Sequence, residues 1–191
     1  MYALPMHSRF MLLAGLAMSS LAASACADAP ALPLAVAAAH NAADTVRRLL
    51  VEHHDPNDRD AHGVTPLMWA ARTGAVDAMR VLLDAGADPA ARDDRNGWTA
   101  LFHAIHKHQT AAVRLLLERG ADANQAVRFA TPLMMAAADR DPDIVTLLLR
   151  HGADPRPRGI GGETALSIAV SGGALTDIDR PLFGGCHPET V

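Results

Sequence analysis

The histidines are the first candidates for chemistry, since there are ten of them and three crowd together as His103, His106 and His108. His103 and His106 are three residues apart, a spacing that places two side chains on one helix face. A zinc site needs three or four ligands converging on one point, and no carboxylate or thiol stands at ligand spacing from this group. His103 is therefore read as a packed residue and His106 and His108 as solvated ones. Asp93-Asp94-Arg95-Asn96-Gly97 has a faint likeness to a calcium loop. It lacks the alternating oxygen donors and the distant glutamate that calcium requires, so Asp94 and Gly97 are assigned a turn. Gly159-Ile160-Gly161-Gly162 follows no strand and lacks a Lys-Ser/Thr end, which makes it a turn and not a phosphate loop. Ser24, Ser167 and Ser171 have no nucleophile-elbow context. Cys186 has His187 beside it but nothing to orient the pair. Two cysteines, Cys26 and Cys186, can build neither a disulfide framework nor a four-thiolate zinc site. The sequence thus predicts no catalytic residue, no metal and no cofactor.

The elements that would carry any site follow from composition and periodicity. The chain has 191 residues, half of them apolar, which suits one domain with a sizeable core. Aromatics are 4%, as expected for helices packed on Ala and Leu. The net charge of −4 argues against nucleic acid as a partner of the whole surface.

The N-terminus reads as an address. A weakly basic start with His7 and Arg9 precedes an apolar run from Phe10 to Leu21, and Ala22-Ala23-Ser24-Ala25 follows. Residues 1–25 thus have the pattern of a secretory signal peptide, and its apolar core of about a dozen residues is too short for a spanning helix, which needs about 20. The expected cut falls after Ala25 or Ala27. Ala23-Ser24-Ala25-Cys26 also looks like a bacterial lipobox, with Ala23 where a larger aliphatic residue is preferred. Two fates follow: a soluble periplasmic protein, or a membrane-anchored lipoprotein lipidated at Cys26.

The remainder is a repeat. Thr65-Pro66-Leu67, Thr99-Ala100-Leu101, Thr131-Pro132-Leu133 and Thr164-Ala165-Leu166 recur at spacings of 34, 32 and 33. Gly86-Ala87-Asp88, Gly120-Ala121-Asp122 and Gly152-Ala153-Asp154 keep the same phase. A fixed period of this size signals a solenoid. Thr65 is a helix N-cap, with Pro66 at the first helical position where its missing N–H costs nothing. A short helix ends at Gly74, a second runs from Val76 to Ala85, and Gly86 supplies a left-handed cap. Helices this short are unstable alone and must bury their apolar faces on neighbouring copies.

Asp60-Ala61-His62-Gly63-Val64-Thr65-Pro66-Leu67, Ala70-Ala71, Gly74, Leu82-Leu83 and Gly86-Ala87-Asp88 resemble the ankyrin-repeat motif position by position. The resemblance implies an all-α solenoid of about five helix-turn-helix repeats joined by short β-hairpin-like loops. The copies fall at about 26–58, 59–91, 93–124, 125–157 and 158–191, giving residues 26–191 as one repeat domain. The chain departs from the family where a histidine often follows Thr-Pro-Leu, since Ala35, Met68, Phe102, Met134 and Ser167 stand there. Copy five reads as a good first helix followed by an insertion, Ala174 to His187, and then either a truncation or an imperfect cap.

The resemblance implies a non-enzymatic scaffold that binds a protein or peptide on its concave face, and export points to the bacterial cell envelope. The alternative is a metal-binding or enzymatic stress protein with a site on that face. In-phase loop and inner-helix positions place Arg59, Ala61, His62, Val64 and Arg72 on the face in copy two, and Asp93, Arg95, Asn96, Trp98 and His106 in copy three. Copy four contributes Gln125, Val127, Arg128, Ala130 and Ala138, and copy five Arg158, Ile160, Gly161, Glu163 and Ser171. Five arginines stand against two acids. The predicted partner is acidic, held by Arg95 and Arg128 around Trp98, with a membrane involved only through a lipid on Cys26.

Overall fold

The computed structural model describes residues 32–171. The predicted signal peptide, Cys26 and the stretch from Gly172 to Val191 lie outside the described residues. Four helix pairs and a single helix follow one another: α1 (Pro33–Ala39) and α2 (Ala43–Val51), α3 (Pro66–Thr73) and α4 (Val76–Asp84), α5 (Ala100–His106) and α6 (Thr110–Glu118), α7 (Pro132–Ala138) and α8 (Pro142–Arg150), then α9 (Ala165–Val170). The first helices stack on one another as α1, α3, α5, α7 and α9, and the second helices as α2, α4, α6 and α8. This is the all-α solenoid that the repeat predicts, with no strand among the described residues beyond one isolated bridge between Val127 and Ala130.

Local chemistry sets each boundary. Thr65, Thr131 and Thr164 accept a hydrogen bond from the third amide of their helices, the N-cap role expected of them. In α3 the Met68 sulfur accepts from the Thr65 amide at 3.5 Å, so a thioether stands in for the usual second half of a capping box. Gly74 closes α3 at φ 72°; copies one, three and four make the same left-handed turn with Asn41, His108 and Arg140 instead. The core is one continuous strip of Leu, Ala and Met, including Leu67, Met79, Leu82, Leu116, Met135 and Leu148. Copies are also stitched by polar contacts. The Asn57 amide donates to the Gly86 carbonyl and its oxygen accepts from the Asp88 amide; Asn124 does the same with Gly152 and Asp154.

Candidate functional site

The loops that precede the first helices form the candidate site, and each is shaped by its own residues. In copy two, Asp60 Oδ1 accepts the amides of His62 and Val64 at 2.8 and 2.9 Å, while Oδ2 accepts the Trp69 indole N–H at 3.1 Å. In copy three the tip carries one more residue, and Asp93, not Asp94, is the turn-former. Its Oδ1 accepts from the amides of Asn96 and Gly97, and its Oδ2 lies 2.9 Å from His103 Nε2. Asp94 points outward instead. Copy four has Ala126 where an aspartate would stand, and closes its tip as a two-residue turn. Val127 and Ala130 exchange both backbone hydrogen bonds at 2.9 Å. Arg128 takes a φ of 54° there, since the favoured two-residue hairpin turns need a left-handed first residue.

Successive tips touch and form a ridge. Arg59 donates to Asp94 Oδ1 at 2.7 Å and to the Arg92 carbonyl at 2.8 Å, and the Asp94 amide donates to the His62 carbonyl at 2.9 Å. Arg92 reaches across to the Ala126 carbonyl at 3.1 Å. A Cβ on Gly159 would lie 3.8 Å from the Phe129 carbonyl oxygen, which puts tip five against tip four.

The predicted face residues divide sharply. Arg95, Arg128 and Arg158 are exposed, and Arg158 donates to the Gly162 carbonyl at 2.9 Å. Arg128 makes no hydrogen bond or ion pair among the described residues. Arg59 is exposed but committed to Asp94. His62 and Asn96 are half-buried, and Arg72 lies over the Trp69 ring, 5.3 Å from its centroid. Trp98 does not stand out in the groove. It is 7% exposed, with its ring against Phe102, His103 and His106 at 6.3, 5.3 and 5.2 Å between centroids, so it packs the core and offers little to a partner. Val127 and Asp93 are buried as well. The apolar side chains that the ridge does present are Phe129, 63% exposed, and Ile160, 60% exposed. Ile160 stood among the predicted positions and Phe129 did not. The signal was available, since Phe129 occupies the place of Gly63 in copy two, where a large aromatic residue breaks the pattern.

The histidines are used separately. His103 is bonded to Asp93, and His108 Nδ1 lies 3.2 Å from Asp141 Oδ2. His106 is half-buried rather than solvated, and burial, with the nearby positive charge of Lys107, His103 and Arg72, lowers its pKa to about 4. Burial pushes the Asp93 carboxyl up, but the bonds from His103 and from the Asn96 and Gly97 amides outweigh it and hold the group below its ordinary 3.8. Among the described residues no group of three or more His, Cys, Asp or Glu side chains is placed to hold a metal ion. No helix among them is long and apolar enough to cross a membrane.

Residues 34–127 match the family model described as "Ankyrin repeats (3 copies)", and residues 130–159 match "Ankyrin repeat". Together they take in well over half of the chain. The chain is 36% identical over 126 residues to "Transient receptor potential channel pyrexia" of Drosophila melanogaster, covering 65% of this chain and 13% of that protein. It is 33% identical over 114 residues to "B-cell lymphoma 3 protein homolog" of Mus musculus, covering 59% and 25%. It is 38% identical over 99 residues to "Putative ankyrin repeat-containing protein" of Treponema pallidum (strain Nichols), covering 51% and 33%. The match thus spans a third or less of each relative's own length.

Proposed function

The chain belongs to the ankyrin-repeat family, and from that premise we propose that it is a non-enzymatic scaffold whose partner seats on the ridge of tips in copies four and five. Ankyrin repeats are interaction modules, and function lives in the surface each one displays. The observation that carries the reading is the pair of exposed apolar side chains, Phe129 and Ile160, on two touching tips. Arg128 stands beside Phe129 with no partner among the described residues, and Arg158 lies on the neighbouring tip. Aromatic and arginine side chains are the commonest anchors of protein interfaces. A basic rim around an apolar centre suits an acidic segment that carries an aliphatic or aromatic residue. Its charges speed association and make it salt-sensitive.

The setting proposed for this scaffold is the bacterial cell envelope. The supporting residues are the signal-like sequence 1–25 and the cut site after Ala25 or Ala27, with lipidation at Cys26 as the alternative fate. The test combines location and contact. The full chain is expressed with its N-terminus intact, the mature N-terminus is sequenced, and the partner recovered from the envelope fraction is titrated against wild type and Phe129→Ala/Ile160→Ala. The reading expects a mature chain starting at or near Cys26 and binding weakened at least tenfold. A retained Met1 removes the envelope, and unchanged affinity removes the ridge.

A further inference from the structure

Asn96-Gly97, at tip three, is the one Asn-Gly step in the sequence; Asn41, Asn57 and Asn124 are followed by Ala, Asp and Gln. This step is the most reactive setting for an asparagine, because glycine has no Cβ to hinder attack by its own backbone nitrogen on the preceding carboxamide. Tip three holds that nitrogen in a particular way. The Gly97 N–H is shared between the Asp93 carbonyl at 3.1 Å and the Asp93 carboxylate Oδ1 at 3.0 Å, and the same Oδ1 accepts the Asn96 amide at 2.7 Å. In copy two Gly63 donates to the Asp60 carbonyl, while the Asp60 carboxylate takes the amides on either side of it, those of His62 and Val64. The additional residue of tip three thus places the carboxylate on the glycine nitrogen itself.

We propose that Asn96 is a deamidation site, kept closed by Asp93 and opened when tip three comes away from that carboxylate. In the reaction the Gly97 nitrogen gives up its proton and bonds to Asn96 Cγ, the Cγ–Nδ2 bond breaks, and ammonia leaves carrying the proton. Water then opens the cyclic imide at either carbonyl and gives aspartate or isoaspartate at position 96. Water is the only other reactant. The bound carboxylate opposes the first step, since deprotonating an amide in contact with a carboxylate sets two negative charges side by side. Asp93 is itself held from behind: it is 5% exposed, and its Oδ2 lies 2.9 Å from His103 Nε2.

Conversion changes the ridge where copies three and four meet. A Cβ on Gly97 would lie 3.6 Å from Val127 Cγ1, and Arg92 donates to the Gly97 carbonyl at 3.5 Å and to the Ala126 carbonyl at 3.1 Å. Either product adds a negative charge beside Asp94. Isoaspartate also adds a main-chain atom to the turn, so the amides that Asp93 holds lose their register. A tip that has reacted cannot return to its original closure. The inference stands on tip three alone and is independent of what binds tips four and five.

The test follows residue 96 by peptide mapping of the full chain at neutral pH, in wild type, Asp93→Ala and Leu148→Ala. Leu148 is buried in α8, so its truncation weakens the stack without touching tip three. Folded wild type is expected to convert at least about tenfold more slowly than the same chain in urea, since reaction waits on opening of the tip. Asp93→Ala, at a temperature where it stays folded by circular dichroism, is expected to convert about threefold or more faster than folded wild type, and Leu148→Ala to gain clearly less than Asp93→Ala. Where Asp93→Ala does not fold, hydrogen exchange of the Gly97 amide in wild type takes its place, with slow exchange expected. Wild type that converts as fast folded as in urea overturns the proposal. So does a folded Asp93→Ala chain that keeps the wild-type rate, a Leu148→Ala chain that gains as much as Asp93→Ala, or an unprotected Gly97 amide.

Discussion

His103 holds Asp93 as Trp69 holds Asp60: each ring N–H donates to the tip carboxylate of its own copy, at 2.9 and 3.1 Å, from the same register position four residues after the N-cap threonine. The donor and the acceptor vanish together in the next two copies, where Met135 faces a tip with Ala126 and Ile168 one with Gly159. Copies two and three thus have tips pinned to the helix layer by a ring-to-carboxylate bond, while the tips of copies four and five turn on backbone hydrogen bonds without such a carboxylate, Arg158 adding a bond to the Gly162 carbonyl. The exposed Phe129 and Ile160 sit on the unpinned pair.

The pinned aspartate makes a pH prediction. Asp93 is held below its ordinary 3.8 in the folded chain, so its charged form stabilises the fold above that value, and the contribution is lost as pH falls through the lowered pKa. Asp93→Asn is expected to be less stable than wild type by about 1–2 kcal/mol at pH 7, where it loses charge-assisted bonds. The gap should narrow in acid below 3.8. A gap that is constant from neutral to acid pH would contradict the assignment.

His106 works in the opposite chemical sense and in a different window. Its folded pKa of about 4 lies below the ordinary 6.5, so the unfolded chain takes up the proton first and stability falls as pH drops from 6.5 toward 4. His106→Gln should flatten that part of the stability profile. The ring resonances of His106 should titrate with a midpoint near 4 in the folded protein; a midpoint near 6.5 would place the ring in solvent, away from Trp98.

Two substitutions test the helix register of copy three. Gly120 has a φ of 85°, and a Cβ built on it meets nothing within 4 Å. The cost of Gly120→Val is therefore conformational alone, about 1–2 kcal/mol. Leu116 is fully buried in α6, and Leu116→Ala should cost about 2–5 kcal/mol. Both are read from urea midpoints, and equal, small shifts would mean that the second helix is misplaced.

Trp98 and Arg128 should exchange the roles that their residue types suggest. Trp98→Ala is expected to cost about 3–5 kcal/mol of stability, as a core truncation does, with binding retained wherever the fold survives. Arg128→Gly relieves a left-handed backbone position and should leave stability unchanged or higher by about 1 kcal/mol, while weakening association most at low salt. A Trp98→Ala chain that melts like wild type would return the indole to the surface.

The repeat, its helix boundaries and its caps were legible in the sequence because Thr-Pro-Leu and Gly-Ala-Asp act through local backbone chemistry. The tips were legible only in part. One additional residue between Asp93 and Gly97 shifts the turn, so that Asp93 takes the inward place assigned to Asp94. Trp98 precedes an N-cap threonine, and only the stacking of α5 on its neighbours turns that ring inward. The bridges from Asn57 and Asn124 join residues about 30 positions apart, and no local pattern announces them. Phe129 was visible as a departure from glycine, but its exposure depends on the two-residue turn that Arg128 permits.

The central claim is that the partner lies along the ridge of tips four and five. Site-specific photocrosslinking measures this most directly, with a benzophenone side chain placed at Phe129 in one chain and at Arg114, exposed on α6 in the layer of second helices, in another. The account predicts a covalent adduct of one defined partner at position 129, lost on adding unlabelled wild-type chain, and none at position 114. An adduct at 114 with none at 129 would place the interface on the second helices and contradict the account.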